Sequence, residues 1–319
     1  MMISNSRNPP VAISRIFGGI GNQLFIYAAL RRLTLKSDAK LVVDNISGFV
    51  YDSDFKRHYQ LDHFHVKCTN ASKNERLEPF SRVRRKIKRY INKYIPYEKR
   101  NYIYQEDNIF DPRFLKVKLT RRVNIEGYWQ GEKYFKDIEN IIRQDLTIKP
   151  PVDRVNLSMA ESINKNTSVA IHVRFFNDPD TGRDISVDYY NRAINKMENR
   201  VPNAHYYLFS DRPEDASKMI QLPVDRITIV DHNFGDMNAY ADLWLMTLCS
   251  HFIIANSTFS WWGAWLSESK NKYIIAPEYK KDNNNSSESF NSIIPEAVSY
   301  THLRAHETPE HLVCRLLLE

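Results

Sequence analysis

Short apolar runs alternate with longer amphipathic stretches along most of the chain. Residues 12–17 and 40–44 have the length and composition of strands, and residues 22–36 between them repeat apolar positions at helical spacing. Residues 45–120 are irregular. A strand over 122–126 and a helix over 132–145, with Tyr134, Phe135, Ile138, Ile141 and Ile142 inward, complete the first half. Lys149-Pro150-Pro151 ends it, because proline lacks the N–H a helix needs and pushes the preceding residue out of the helical region. The second half is more regular. Strands at 168–173, 205–209, 226–230, 251–255 and 272–276 alternate with helices at 187–199, 213–220, 237–249 and 258–267. Such alternation predicts an α/β fold with parallel, doubly wound sheets. Residues 1–150 and 151–297 are expected to form separate domains.

Composition narrows the class. At 319 residues, 42% hydrophobic and 26% charged, the chain can bury a core. Its apolar runs stay below the roughly 18 residues of a membrane-spanning helix. Its first residues lack the basic and apolar regions of a secretory signal. Cys68, Cys249 and Cys314 have no metal-ligand spacing and cannot all pair, so a reducing, cytoplasmic setting is expected.

The net charge of +7 favours an anionic partner. Much of the excess lies in a basic insertion at residues 80–100, with Arg82, Arg84, Arg85, Lys86, Lys88, Arg89, Lys93, Lys99 and Arg100 against Glu98. Val83, Ile87, Tyr90, Ile91, Tyr94 and Ile95 recur there at helical spacing. Two readings stand: a surface helix docked by its apolar stripe, or an interfacial helix in peripheral contact with anionic membrane. No nucleic-acid recognition motif accompanies the charge, so nucleic acid is not an expected partner.

Candidate chemistry sits where the strands end, since ligands of open α/β sheets bind beyond the carboxyl ends of strands. Three of these ends are polar: His172-Val173-Arg174, Ser210-Asp211 and Asn256-Ser257-Thr258. Asn256, Ser257 and Thr258 open a helix, where free N–H groups and the helix dipole favour an anion, although an ordinary cap has the same composition. Arg174 can hold two phosphate oxygens at once, or pair with Asp178, Asp180 or Asp184. His172 shares its face by strand alternation. In the first half, Gly18-Gly19-Ile20-Gly21-Asn22-Gln23 follows a strand and opens a helix, without the pattern of a Walker or dinucleotide loop. The triplets Asp52-Ser53-Asp54 and Asp178-Pro179-Asp180 are at the frequency chance supplies, and no metal is expected.

Taken together, Gly18 to Phe25, Gly127-Tyr128-Trp129-Gln130-Gly131-Glu132-Lys133-Tyr134-Phe135, His172-Val173-Arg174, Phe209-Ser210-Asp211 and Asn256-Ser257-Thr258-Phe259-Ser260-Trp261-Trp262-Gly263-Ala264-Trp265-Leu266 resemble the bacterial α-1,2-fucosyltransferases of glycosyltransferase family 11. The resemblance runs from about Ser14 to about Glu296, and its last segment is the most specific. It implies a GT-B-type fold, two Rossmann-like domains facing an interdomain cleft. It also implies transfer of L-fucose from GDP-β-L-fucose, with inversion, to the 2-hydroxyl of a galactoside in an oligosaccharide or lipid-linked surface glycan. GDP-fucose would be a co-substrate, with no metal and no other cofactor; the basic helix extends the cytoplasmic setting expected from the cysteines to a peripheral place on the inner face of the membrane. The donor would be bound by Arg174, Asp178, Ser210, Asp211, Asn256, Ser257, Thr258, Phe259 and Ser260, with Arg174 and His172 at the reacting diphosphate. Gly19, Gly21, Asn22 and Gln23 would line the acceptor side; by position, Asp44 at a strand end and His172 are the candidates for a general base. The family commonly reads His-x-Arg-Arg-Gly-Asp where this chain has His172-Val173-Arg174-Phe175-Phe176-Asn177-Asp178, so one phosphate-facing charge is absent. Residues 298–319, rich in His and Arg, look unlike what precedes them and are expected to be a foreign or disordered tail; the alternative is an amphipathic helix using Leu312, Val313, Leu316 and Leu317.

Overall fold

The computed structural model describes residues 9–53, 55–107, 109–176, 185–278 and 300–304. Asp54, Asp178, Asp180, Asp184 and Cys314 therefore lie outside the described residues. The chain divides into two compact units, Met1–Lys149 and Pro150–Glu319, at the proline pair.

In the first unit, strand β1 (Val11–Arg15) leads into helix α1 (Ile20–Ser37) and strand β2 (Lys40–Asp44). Next come β3 (Thr69–Asn70), α2 (Ser81–Lys93), β4 (Tyr102–Tyr104), α3 (Pro112–Lys116), β5 (Arg122–Glu126) and α4 (Glu139–Asp145). The strands form one parallel sheet in the order β3-β2-β1-β5-β4. Helix α1 is buried on nearly every side. It is tied to α4 by Asp145, which accepts from Tyr27 Oη and pairs with Arg31 Nε, both at 2.7 Å. The helix expected over 132–145 is instead two single 3₁₀ turns followed by α4. Tyr134, Phe135 and Ile142 point inward as expected, while Ile138 and Ile141 are only half-buried.

Helix α2 forms where the spacing places it, with the opposite face inward. Arg85 and Asn92 are buried, while Phe80, Val83, Ile87, Tyr90, Ile91 and Tyr94 are exposed. The docked-stripe reading is thereby corrected, and the physical reason lies in the sheet. Asp44 and Glu126 end β2 and β5 almost wholly buried, and buried carboxylates need counter-charges. Arg85 Nη2 meets Asp44 Oδ2 at 2.7 Å, and Arg89 Nη2 meets Glu126 Oε1 at 2.7 Å. Asn92 Oδ1 accepts from the backbone N–H groups of Asn101 and Tyr102 at the start of edge strand β4. Ion pairing and edge capping outweigh the burial of the apolar stripe.

The second unit runs α5 (Arg154–Lys165), β6 (Ser168–Val173), α6 (Val187–Arg200), β7 (His205–Ser210), α7 (Pro213–Met219), β8 (Ile227–Val230), α8 (Ala239–Leu248), β9 (His251–Ile253), α9 (Thr258–Leu266), β10 (Ile274–Glu278) and β11 (Tyr300–Arg304). Its parallel sheet has the order β11-β10-β9-β6-β7-β8. Counted from β6, this is the Rossmann order, with the direction of winding reversing between β6 and β9. Val169, Ile171 and Val173 join a core on one face with α6, while Ala170, Phe252 and Ile254 join a core on the other with α5 and α8. Burial on both faces explains why these strands read as continuous apolar runs. Strand β11 falls inside the segment expected to be a foreign tail, and its backbone pairs in parallel with β10, from Ile274↔Tyr300 to Glu278↔Arg304.

Candidate active site

The reversal point between β6 and β9 is where an open sheet of this order offers a crevice. Strand β6 is wholly buried and registers with β7 on one side and β9 on the other, so its carboxyl end is held firmly. Just beyond it, Arg174 Nη1 pairs with Asp211 Oδ2 at 3.0 Å, and Asp211 Oδ1 accepts from the Phe175 N–H at 3.1 Å. Both side chains remain partly exposed, 21% for Arg174 and 29% for Asp211. The ion pair therefore forms with a residue of the next strand end, whereas Asp178, Asp180 and Asp184 lie outside the described residues. Ser210 Oγ accepts from the Arg212 N–H at 3.1 Å, and the Arg212 guanidinium lies over the Phe175 ring at 4.2 Å.

His172 is 5% exposed, and its ring lies 5.3 Å from that of Phe259 in the first turn of α9. Its Nδ1 meets no hydrogen-bond partner among the described residues. Burial, and secondarily the nearby Arg174 charge, pushes its pKa down to about 3, so the imidazole is neutral at ordinary pH.

Helix α9 splits the long motif into two kinds of residue. Ser257 is the N-cap, its side chain accepting from the Phe259 N–H at 3.3 Å, and Asn256 and Thr258 are half-buried beside it. Ser260 is fully buried, within 3.4 Å of the carbonyls of Ala255 and Ser257. The remainder is packing. Trp261, Trp262 and Trp265 form a buried ring cluster, and a Cβ on Gly263 would lie 2.3 Å from Met246 Sδ, so only glycine lets α8 and α9 approach so closely.

In the first unit, Gly18 has a positive φ of 77°, and Gly19 N-caps α1 with no side-chain cap. Asn22 Oδ1 accepts from Gln130 Nε2 at 2.8 Å, which joins two motifs that are far apart in sequence. Gln23 is fully buried. Its amide nitrogen donates to the carbonyls of Gly18 and His58, and its oxygen accepts from the Gln60 N–H. Gly21 is buried in the first turn of the helix. Asp44 is 1% exposed and pairs with Arg85; it also accepts from the N–H groups of Ile46 and Ser47 and from Ser47 Oγ. Two neighbours had no sequence signal of their own. Arg57 stands where a Cβ on Gly19 would lie 3.7 Å from its guanidinium carbon. Glu126 is held by Arg15, Arg89 and the Tyr102 hydroxyl. Among the described residues, no group of three or more His, Cys, Asp or Glu is placed to hold a metal ion.

The family model for glycosyl transferase family 11 matches residues 15–294. The chain belongs to this family. It is accordingly a glycosyltransferase, as the order of motifs implied. It is 26% identical to an alpha-1,2-colitosyltransferase of Escherichia coli, over 84% of this chain and 91% of that protein. It is also 26% identical to the O-antigen biosynthesis glycosyltransferase WbnK of Escherichia coli, over 86% of this chain and 96% of that protein. Among solved structures, a mutant of Arabidopsis thaliana FUT1 in complex with GDP is similar in fold. The TM-score is 0.50 at 13% identity, covering 88% of this chain and 72% of that one. The expected class, α/β of GT-B type with two Rossmann-like sheets, is the fold of this family member.

Proposed function

We propose that the protein is an α-1,2-glycosyltransferase that uses a GDP-sugar, and that it moves L-fucose from GDP-β-L-fucose to the 2-hydroxyl of a galactoside in a glycan. Family membership and the colitosyl and O-antigen transferases that resemble the chain support the reaction class and a glycan acceptor. The observation that carries the donor reading is the grouping at the carboxyl ends of β6, β7 and β9: a guanidinium steadied by Asp211, a buried neutral imidazole and a capped helix start. Inversion requires the acceptor hydroxyl to attack the anomeric carbon opposite the departing GDP. The barrier falls when preorganised positive charge and N–H groups meet the diphosphate as its charge develops. In this reading Arg174 and the N-terminus of α9 supply that charge, Asp211 aims the guanidinium, and Ser257 and Thr258 add hydroxyls. Buried Ser260 orders the first turn of α9. Charge stabilisation of this kind needs no divalent metal.

A second donor sugar is favoured by one observation, the resemblance to a colitosyltransferase, and Phe175 and Phe176 stand where the family commonly carries a second arginine and a glycine. The test is a transfer assay on lactose-type acceptors with GDP-fucose, GDP-colitose, GDP-mannose and UDP-galactose, with and without EDTA. Turnover with GDP-fucose, unaffected by EDTA, is expected. Preference for GDP-colitose would replace the donor sugar alone. Turnover only with UDP-galactose, or a strict metal requirement, would overturn the reading.

A further inference from the structure

Helix α2 presents an apolar face that is left exposed among the described residues. Phe80, Val83, Ile87, Tyr90, Ile91 and Tyr94 project from the side opposite Arg85, Arg89 and Asn92, and each is more than half exposed. Arg82, Lys86 and Lys93 border this face along one side, and Arg84 and Lys88 along the other. The helix contains no acid. We propose that this face of α2 seats the protein on the surface of an anionic lipid bilayer.

Three observations converge on that occupant. The helix has 13 residues, so it is about 20 Å long, too short to cross a bilayer and suited to lying in its plane with rings and aliphatic chains among the lipids. Its borders are cationic on both sides, so a second copy of the chain on the same face would bring like charges together, whereas anionic headgroups satisfy both borders at once. The inner side is committed elsewhere: Arg85 and Arg89 are paired with Asp44 and Glu126, and Asn92 caps the start of β4. The face is therefore held rigidly outward without rearrangement. Nearby, Arg82 stacks over the Tyr51 ring at 3.7 Å, and Val50 and Tyr51 are themselves exposed, which widens the patch. On the flank towards β4 lies an open cleft of about 360 Å³ lined by Lys93 and Arg100 together with Glu106.

Arg85 and Arg89 anchor the helix to the carboxyl ends of β2 and β5, and β1 ends beside them and runs into the Gly18–Gln23 turn. The helix that carries the apolar face is thus fixed to the strand ends that neighbour this turn.

The full-length protein is to be sedimented with vesicles of phosphatidylcholine alone and of phosphatidylcholine mixed with phosphatidylglycerol. Binding to the mixed vesicles only is expected. Replacing Arg82, Lys86 and Lys93 by Gln should weaken it roughly a hundred-fold, at about 1 kcal/mol per basic residue. Replacing Ile87, Tyr90 and Ile91 by Gln should abolish it without lowering thermal stability or transfer to a soluble acceptor, because these side chains are exposed. Equal pelleting with neutral vesicles, no pelleting with either, or binding that survives the Gln variants would overturn the proposal. So would a concentration-dependent dimer that the Ile87, Tyr90 and Ile91 replacements dissociate.

Discussion

The carboxyl edges of the two sheets are built from similar materials to different ends. In the first sheet, Asp44 and Glu126 are closed off: Arg85 covers one, Arg15 and Arg89 cover the other, and hydroxyls of Ser47 and Tyr102 complete the set. In the second sheet the carboxylate at the corresponding edge is more exposed. Arg174 and Asp211 stay partly exposed, and His172 holds a ring nitrogen with no partner among the described residues. Carboxylates buried against several cationic partners fix chain segments, here α2 and β4, whereas an ion pair left open to solvent is within reach of a ligand.

That contrast can be broken from either side. The largest effect belongs to the closed edge. Glu126→Gln leaves Arg15 and Arg89 facing a neutral amide, and the variant should lose about 3 kcal/mol of unfolding free energy in denaturant titration. The same carboxylate sets an acid limit. Burial raises its pKa, but the hydrogen bonds from Arg89 and Tyr102 and the charges of Arg15 and Arg89 outweigh burial and hold it below the ordinary carboxylate value. Its stabilising effect is therefore complete above pH of about 4.3 and lost as pH falls through the lower folded value.

The open edge titrates in another window. His172 has a folded pKa of about 3 against an ordinary value of about 6.5, so protonation favours the unfolded chain. Stability is full above the ordinary value and falls towards the folded one. Relative to His172→Gln, the native protein should lose about 2 kcal/mol between pH 7.5 and pH 5. Parallel stability–pH curves would remove the claim that this imidazole is held neutral by burial. The smallest effect is at the cap: Ser257→Ala should cost about 0.5–1 kcal/mol, seen as a small drop in Tm.

The same contrast explains what sequence could reveal. Strands β6, β7 and β9 were legible because burial on both faces leaves unbroken apolar runs, and their polar ends stood out against them. The facing of α2 was not legible. Periodicity identifies an apolar stripe and assumes that it turns inward, whereas the partners that reverse it, Asp44 and Glu126, lie far away in sequence. Helix α5 was missed for a related reason: it buries Asn156, Ala160 and Ile163 and exposes Val155 and Leu157, so little apolar signal marks its inner face. Strand β4, three residues within a basic region, is recognisable only through its pairing with β5. Within the motifs, residue type was visible but burial was not. Gln23 and Ser260 look like surface polar residues, yet both are fully buried, with polar partners in the chain's own backbone.

Arg174 decides whether the second edge is a diphosphate site. Calorimetric titration of GDP into the native protein and into Arg174→Ala tests this most directly, with thermal unfolding of both proteins to show that the variant is folded; its partner Asp211 keeps access to solvent when the guanidinium is removed. Binding roughly 10- to 100-fold weaker is expected in the variant, the loss of one charge-assisted contact to phosphate. Equal GDP affinity in the two proteins would contradict it.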